Sequence, residues 1–144
     1  MTKFRFYYPI QVRYGDLDPQ WHVNNTRFLT YLEQARLAYL IELGLFDGAS
    51  FFDLGYIVGD IHIRFLAPIF IHDKVRVGLC VSHIGNKSMT IDYHIEDEDG
   101  SRVMAEAQTV MVAYDYRQQK SIPISPAWRE KIGAFEGREF PLPA

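Results

Sequence analysis

One short stretch, VRYGDLDPQWHVNNTRF at residues 12–28, concentrates polar residues with the chemistry of a reaction centre. It holds Asp16, Asp18, His22, Asn24 and Asn25 between two apolar segments. A carboxylate can act as a general base or as a nucleophile, and an imidazole can position a reacting group near neutral pH. The N–H groups at the start of a helix stabilise negative charge that develops on an oxygen. The stretch therefore combines groups for attack with groups for holding an oxyanion.

The segments on either side must hold these side chains in place. Residues 4–14 alternate and are rich in aromatic and β-branched side chains, which predicts a strand. After the polar stretch, apolar residues recur every three or four positions up to Gly44, which predicts an amphipathic helix about 27 Å long. Asn24 or Asn25 can cap this helix, because the short side-chain oxygen accepts a hydrogen bond from the first turn. The apolar stripe is wide, so other structure must cover much of the helix.

Four further strands are predicted downstream, at residues 56–66, 74–83, 89–97 and 102–116. In the first, alternation puts Ile57 on the same face as Ile61 and Val58 on the opposite face. The apolar run at 110–112 suggests that the last strand is central and covered on both faces. Residues 84–87 and 97–100 are typical of hairpin turns. Ser125 and Pro126 begin a short helix through residue 134.

The predicted fold class is α+β, with an antiparallel β-sheet wrapped around one long central α-helix. An antiparallel sheet needs cover on one face, and only one long helix is available to supply it. We expect a single domain over residues 1–144, with its core at 4–116 and a short C-terminal helix at 125–134. The other sheet face is a mixture of apolar and polar residues, which hints at a second subunit against the sheet or its edge.

Composition excludes several other classes of protein. Apolar residues make up 48% of the 144 residues, which is typical of a globular chain. The net charge of -3, with no basic patch, argues against a nucleic-acid partner. No apolar run is long enough to cross a bilayer and no signal peptide is recognisable, so we expect a cytoplasmic protein with no membrane partner. The single Cys80 excludes an internal disulfide, and no histidine or cysteine spacing is typical of a metal site.

The sequence YGDLDPQWHVNNTRFLTYLEQARLAYL resembles the hot-dog-fold acyl-CoA thioesterases of the 4-hydroxybenzoyl-CoA thioesterase type. The most specific part is D-x-D-P-x-x-H-V-N-N, followed by an aromatic-rich helix that contains E-x-A-R. A weaker likeness lies in IRFLAPIFIHDKVRV, and the resemblance covers about residues 4–116. It implies a hydrolase that splits an acyl-CoA or acyl-carrier-protein thioester. The coenzyme A would be part of the substrate rather than a cofactor, and the chain would form a homodimer or homotetramer.

The resemblance also assigns roles to individual residues. Asp18 would be the catalytic base or nucleophile, and the backbone N–H at Asn25 the oxyanion donor. From the chemistry of imidazole near neutral pH, His22 is a candidate positioning group. The acyl group would lie along the helix between subunits. The predicted substrate-binding residues are Trp21, Asn24, Phe28 and Tyr31 near the helix start, with Arg64, Lys87 and Ser88 as candidate contacts for the coenzyme A phosphates.

Each assignment has a structural alternative. Asp18 precedes a proline, and Asp-Pro is a common turn. His22 can simply fill the turn, and Asn24 is favoured as a cap rather than a substrate contact. Trp21 stands where the family often has glycine, so it lines the acyl pocket or packs on a neighbouring subunit. Asp16 is favoured as a turn residue.

Groups outside the polar stretch are favoured as structural. Glu33 and Arg36 are one helical turn apart and are predicted to pair at a surface or interface. Asp60 is a weak candidate for a second carboxylate supplied across a dimer. Cys80 is expected to be buried and inert. Arg129 and Lys131 are the weakest candidates for phosphate contacts.

Two other function classes compete with hydrolysis. A non-catalytic hot-dog module would bind acyl-thioesters in the same pocket without turnover. A hydratase on this scaffold usually needs a histidine or acid elsewhere on the helix, and the helix here offers only Glu33 and Glu42. Sequence alone leaves the acyl group unassigned.

Overall fold

A long helix, α1, runs from Asn25 to Glu42 through the centre of the fold. The computed structural model describes residues 4–50, 52 and 54–143, so residues 1–3, 51, 53 and 144 of the predicted domain lie outside the described residues. The Asn24 side chain caps α1 by accepting from the Thr26 backbone N–H at 2.9 Å, which confirms one of the two predicted caps. The helix ends before Gly44, whose positive φ of 72° suits a residue without Cβ.

The strands are β1 (Phe6–Ile10), β2 (Tyr56–Phe65), β3 (Val75–Ile84), β4 (Ser88–Asp97), β5 (Val103–Asp115) and β6 (Lys120–Ser121). The order in the sheet is β1-β3-β4-β5-β2, with β6 beside β5, and every pairing is antiparallel. The predicted antiparallel α+β fold and its strands are confirmed. The first strand is shorter than predicted, because residues Tyr14–Asp16 form a 3-10 turn. The two-residue strand β6 was not predicted.

The core lies between α1 and one face of the sheet. Alternate side chains of β3 and β4 meet the helix as predicted, and all of the following are at most 2% exposed: Val75, Val77, Leu79, Val81, Met89, Ile91, Tyr93 and Ile95. Strand β5 is central as predicted, with Met111 fully buried, but Val110 and Val112 beside it are only half-buried. Cys80 is half-buried, so the expectation of a buried thiol is wrong.

A β-bulge changes the faces of β2. The register shifts between Val58 and Asp60, which leaves Gly59 as the extra residue. Because directly opposite residues of an antiparallel pair point to the same side, Val58 shares the inner face of the buried Met111. Ile61 shares the inner face of Thr109, whereas Ile57 points outward with Val112. The predicted alternation is therefore correct from Ile61 onwards and wrong for Ile57 and Val58.

Strand β2 is also an open edge of the sheet. It pairs only with β5 among the described strands, and its apolar side chains are unusually accessible, with Val58 41%, Ile61 42% and Phe65 47% exposed. A long apolar edge strand offers both unpaired backbone groups and apolar surface to another chain. The β2 edge is therefore the candidate contact surface for the predicted second subunit.

A second helix, α2, packs against β3 and the C-terminal part of α1. It spans Pro126–Glu136, with the Ser125 side chain accepting from the Trp128 backbone N–H at 3.3 Å, so the predicted short helix is present and ends two residues later than expected. The Glu136 carboxylate accepts from the Tyr39 hydroxyl at 2.8 Å and from the Val81 backbone N–H at 3.1 Å. These bonds fasten α2 to both α1 and the sheet. Neither described helix is long and apolar enough to cross a membrane.

Arg36 is buried within the fold, so its predicted surface or interface pairing with Glu33 is wrong. Its side chain is 4% exposed, whereas Glu33 is exposed. The Arg36 guanidinium donates to the Tyr93 hydroxyl at 3.1 Å, and that hydroxyl lies 2.7 Å from the Thr109 hydroxyl. The guanidinium also lies 5.8 Å from the centre of the Tyr56 ring. Hydroxyl groups and an aromatic face therefore replace a carboxylate as the surroundings of this buried charge.

Substituting Tyr93→Phe is expected to lower the free energy of unfolding by about 2–3 kcal/mol, because it leaves the buried Arg36 guanidinium without its hydroxyl partner. At this chain length the loss corresponds to a fall in Tm of about 5–10 °C, measurable by calorimetry. The matched variant Thr109→Val keeps the bond between Arg36 and Tyr93 and should cost only about 1 kcal/mol. Equal losses in the two variants would contradict the role given to the Tyr93 hydroxyl.

Candidate active site

The loop that carries the polar stretch is closed by backbone hydrogen bonds. Leu17 and Val23 form an isolated antiparallel bridge. Inside it, the Asp18 N–H donates to the His22 carbonyl at 2.9 Å, and the Trp21 N–H donates to the Asp18 carbonyl at 3.0 Å. The Val23 N–H donates to the Ile69 carbonyl at 2.8 Å, which ties the loop to the connection after β2. The start of α1 and the Asp18 backbone are thus held in one rigid unit.

The Asp18 carboxylate is half-buried and only partly used by this loop. Its Oδ1 accepts from the Gln20 backbone N–H at 2.9 Å and from the His22 backbone N–H at 3.4 Å. Within the described part of the chain, no donor contacts Oδ2. The turn predicted as the alternative role of Asp18 is therefore present, and it orients the carboxylate while leaving one oxygen available.

The first turn of α1 provides a donor near this carboxylate. The Asn24 N–H donates to the Asp16 carbonyl, and the Thr26 N–H donates to the Asn24 side chain. The Asn25 N–H between them makes no hydrogen bond to a described residue, as expected for the orphan donors at a helix start. Such a group carries part of the positive end of the helix dipole and can stabilise an oxyanion.

Asp18, His22 and Asn25 line one open groove of about 490 Å³. Its other wall is apolar and comprises Val23, Phe28 and residues 65–68. The Phe28 and Phe65 rings meet edge to face, with their centres 5.1 Å apart. The groove therefore has a polar side with a carboxylate and a helix start, and an apolar side that suits a hydrocarbon or aromatic group.

The structure brings together Asp18, His22, Asn25 and Phe28 of the predicted site residues. The His22 ring meets the Phe70 ring edge to face at 5.0 Å, and only the His22 backbone bonds to the Asp18 carboxylate. His22 is thus a wall of the groove whose ring is held by Phe70. The Asn24 side chain accepts from both the N–H and the hydroxyl of Thr26, so it is engaged as a cap.

Tyr31 does not line the groove. Its ring is 4% exposed and its hydroxyl donates to the Asp16 carboxylate at 2.8 Å. Burial and the Asp16 carboxylate raise the pKa of the Tyr31 hydroxyl well above its usual range, so it remains a donor at neutral pH. Asp16 also accepts from the Arg13 backbone N–H at 3.0 Å. Asp16 therefore links the loop to the buried Tyr31 of α1, in agreement with the predicted turn role of Asp16.

Trp21 occupies an unusual backbone conformation. Its φ is 66°, in the left-handed region where a glycine is favoured, and a residue with Cβ pays about 1–2 kcal/mol there. Its side chain is 63% exposed and does not line the groove. The Trp21 ring lies beside that of Tyr14, with the centres 6.3 Å apart and the planes at 59°. The departure from glycine noted in the sequence thus falls on a position where glycine would relieve strain.

The predicted phosphate contacts lie elsewhere in the chain. Arg64 is on the outer face of β2, opposite Glu106, whereas the neighbouring Phe65 faces the groove. Lys87 and Ser88 are at the other end of the sheet, since Ser88 pairs with Val112. Along β5 this point is about 23 Å from the residue that pairs with Phe65. A single chain does not bring these residues to Asp18.

Other predicted contacts are also explained by the fold. The Arg129 guanidinium donates to the carbonyls of Gly85, Phe140 and Pro141, which fastens α2 to a hairpin turn and the C-terminal segment. The Lys131 ammonium lies 3.4 Å from the Gly44 carbonyl. No group of three His, Cys, Asp or Glu side chains in the described ranges can hold a metal ion.

Sequence reasoning missed the apolar wall at residues 65–68. Phe65 and Leu66 are each 47% exposed, and the Leu66 and Ala67 N–H groups both donate to the Met104 carbonyl. The signal available was an apolar run that continues past the end of its strand into Pro68. Such a run is expected where the chain turns against another apolar surface.

Comparison with known proteins agrees with this architecture. The sequence profile of the thioesterase-like superfamily matches residues 12–132. The long-chain acyl-CoA thioesterase FadM of Escherichia coli is 29% identical over 123 residues, which are 85% of this chain and 93% of that protein. The 1,4-dihydroxy-2-naphthoyl-CoA hydrolase of Thermosynechococcus vestitus is 29% identical over 125 residues, which are 84% of this chain and 86% of that protein.

A solved structure gives the same result. The crystal structure of a Thermus thermophilus thioesterase, complexed with coenzyme A and zinc, has a TM-score of 0.84 and 30% identity, covering 97% of this chain and 100% of that one. The residues matched by the sequence profile, 12–132, include the polar loop, α1 and the strands from β2 onwards. The predicted resemblance and the enzyme class that it implies, a thioester hydrolase, are confirmed at the level of the family. The chain belongs to the thioesterase-like superfamily and has the hot-dog fold.

Proposed function

We propose that this protein hydrolyses the thioester bond of an acyl-CoA, releasing a carboxylic acid and free coenzyme A. The observation that carries the proposal is one groove lined by both Asp18 and Asn25, whose backbone N–H has no hydrogen-bond acceptor among the described residues. The relatives named FadM and 1,4-dihydroxy-2-naphthoyl-CoA hydrolase support an acyl-CoA as the substrate. An acyl-carrier protein in place of coenzyme A is the alternative carrier.

In this mechanism the free Oδ2 of Asp18 removes a proton from a water molecule, and the oxygen of that water attacks the thioester carbonyl carbon. The carbonyl oxygen becomes an oxyanion, which accepts a hydrogen bond from the Asn25 N–H. The carbon–sulfur bond then breaks, and the proton held by Asp18 passes to the leaving thiolate. His22 forms the wall that fixes the thioester between the two groups.

Asp18 can instead act as the nucleophile, forming a mixed anhydride that water then opens. The two routes differ in where the solvent oxygen appears first. In a single turnover in ¹⁸O-labelled water, a base leaves the label only in the released acid. If Asp18 is the nucleophile and water attacks the Asp18 carbonyl of the anhydride, the ¹⁸O label enters Asp18. Mass spectrometry of the peptide that contains Asp18 then detects the label.

The active unit is proposed to be a homodimer joined through the β2 edges. Two-fold symmetry makes the paired strands antiparallel, so the Ile57 end of one β2 meets the Phe65 end of the other. Ser88 lies at the Ile57 end, two strands away through Val112. Lys87 and Ser88 of one subunit would then lie about 15 Å from the partner's β2, near its Phe65 end. Pairing of dimers into a homotetramer is the larger alternative.

The test is release of free thiol from a panel of acyl-CoAs that differ in chain length and ring content, followed with a thiol-reactive dye. We expect turnover that depends on the acyl group, because the apolar wall at Phe28 and Phe65 contacts it. A non-catalytic binding module would retain acyl-CoA intact after incubation. Recovery of unhydrolysed substrate across the whole panel would favour that class and reject hydrolysis.

A further inference from the structure

Two large aromatic side chains of the polar stretch that carries Asp18 have little protein around them. Tyr14 is 77% exposed and Trp21 is 63% exposed, and their ring centres are 6.3 Å apart. We call these two residues the rim pair. Aromatic residues of this size normally bury most of their surface in a core or an interface. Their joint exposure leaves the rim pair accessible to a molecule outside the described chain.

The backbone at Trp21 strengthens this inference. Its positive φ is strained for any residue with a Cβ, and its exposed ring gains little packing from its own chain in return. Strained positions of this kind concentrate at sites of function. The bridge between Leu17 and Val23 closes the loop that carries this ring.

The groove determines what can reach the rim pair. Its apolar wall at Phe28 and Phe65 takes the acyl group, so the thiol carrier of the substrate must leave towards solvent. Trp21 is three residues from Asp18, so their Cα atoms are at most about 11 Å apart. Trp21 is therefore within reach of a carrier that extends out of the groove.

The charge around the rim pair suits a phosphorylated carrier. Arg13 and Arg27 are both exposed; Arg13 directly precedes the 3-10 turn, and Arg27 lies in the first turn of α1. Arg27 is only loosely paired, with its Nε 4.0 Å from the Asp16 carboxylate and its side chain 48% exposed. The polar stretch thus carries two arginines and two exposed rings, the groups that bind a nucleotide, whose base stacks on aromatic rings and whose phosphates attract arginine.

We propose that the rim pair stacks the adenine ring of the coenzyme A carrier, with Arg13 and Arg27 attracting its phosphates. This proposal rests on the proposed function, because it concerns the leaving half of the same substrate. It assigns to Trp21 a role in recognising the carrier rather than in lining the acyl pocket. It also favours coenzyme A over a carrier protein, since only the former brings an adenine to the groove.

Tryptophan fluorescence tests the stacking directly. The chain has two tryptophans, so the conservative variant Trp128→Phe leaves Trp21 as the only tryptophan, excited selectively at 295 nm or above. Adding adenosine 3′,5′-bisphosphate, the nucleotide half of coenzyme A, should quench this emission in a saturable way. The reciprocal variant Trp21→Phe should show no saturable quenching. Absence of quenching in Trp128→Phe, or quenching by pantetheine but not by the bisphosphate, would overturn the assignment.

Kinetics supply the second test. Trp21→Gly removes the ring and relieves the backbone, so it should fold at least as well as the parent chain. Its KM for acyl-CoA should rise by about tenfold, as expected for loss of one stacked base, with little change in kcat. Its KM for the same acyl group on N-acetylcysteamine, which has no nucleotide, should not change. An equal rise with both thioesters would assign Trp21 to the acyl pocket and reject the proposal.

The matched control is Gln119→Gly. Gln119 has the other positive φ found at a described non-glycine residue, 54°, and it lies in the turn before β6, away from the groove. Relief of strain there should leave both KM values unchanged. Light scattering must give the same mass for Trp21→Gly and the parent chain, because a change would make the rim pair a subunit contact. Quenching by the bisphosphate in a protein that hydrolyses no acyl-CoA would reject the proposed function while supporting the rim pair.

Discussion

Substituting Asp18→Asn is expected to reduce kcat for acyl-CoA hydrolysis by at least about 100-fold, because an amide can neither take a proton from water nor attack a thioester. The fold should remain intact. The amide oxygen can still accept from the Gln20 and His22 N–H groups that orient the native carboxylate. Circular dichroism and Tm should therefore match those of the parent chain while thiol release is lost. Full turnover by this variant would remove Asp18 from the mechanism.

The other aspartate of the loop is the sharpest control. Asp16→Asn weakens the contacts with Tyr31 and Arg13 that brace the loop, without touching the groove. We expect it to cost about 1 kcal/mol in the free energy of unfolding and to keep most of the turnover. The two isosteric changes therefore separate stability from catalysis. A reversal of the two outcomes would show that the catalytic carboxylate had been wrongly chosen.

Substituting Ile61→Glu is expected to give a monomer with at least about tenfold lower turnover, since each groove is proposed to need its partner for positioning of the substrate. Ile61 is in the middle of β2 and is 42% exposed in the single chain, so the chain itself should tolerate a carboxylate there. In a two-fold pair of β2 strands, the two introduced charges would lie close together across the interface and repel.

Light scattering measures the mass directly, and a single chain has a mass of 16.7 kDa. The matched control is Leu142→Glu, which adds the same charge at an apolar residue that is 68% exposed and far from β2 in the sequence. It should keep both the mass and the turnover of the parent chain. An active Ile61→Glu monomer would show that one chain is sufficient for hydrolysis.

The sequence was most informative where local chemistry decides the structure. The cap at Asn24 and the apolar period of α1 depend on neighbouring residues, and both are found where they were predicted. The alternating strands β3 and β4 have one buried face, so their periodicity is unambiguous. The residues of the polar stretch lie next to each other in the chain, and for this reason Asp18, His22 and Asn25 could be grouped in advance. Their catalytic roles and the single-domain organisation stay predictions.

Features set by distant contacts were not predictable. Glu33 and Arg36 have the spacing of an ion pair, but the burial of Arg36 depends on Tyr93, which is 57 positions away in the sequence. The same holds for Tyr31, whose hydroxyl bonds to Asp16 instead of facing the groove. Lys87 and Ser88 illustrate a different difficulty, because their relation to the groove depends on a second chain. Periodicity describes one element at a time and contains none of this information.

The extra residue at Gly59 has a consequence for how the family can vary. Because of this extra residue, the alternation of inward and outward side chains in β2 is reversed before Gly59 relative to the part after it. This reversal turns Tyr56 towards the Arg36 guanidinium. Deleting one residue at this point would exchange the inward and outward sides of the first part of the strand without changing any side chain. The choice of which β2 side chains face α1 at that end therefore depends on strand length, and an insertion or deletion there changes that face more abruptly than a substitution can.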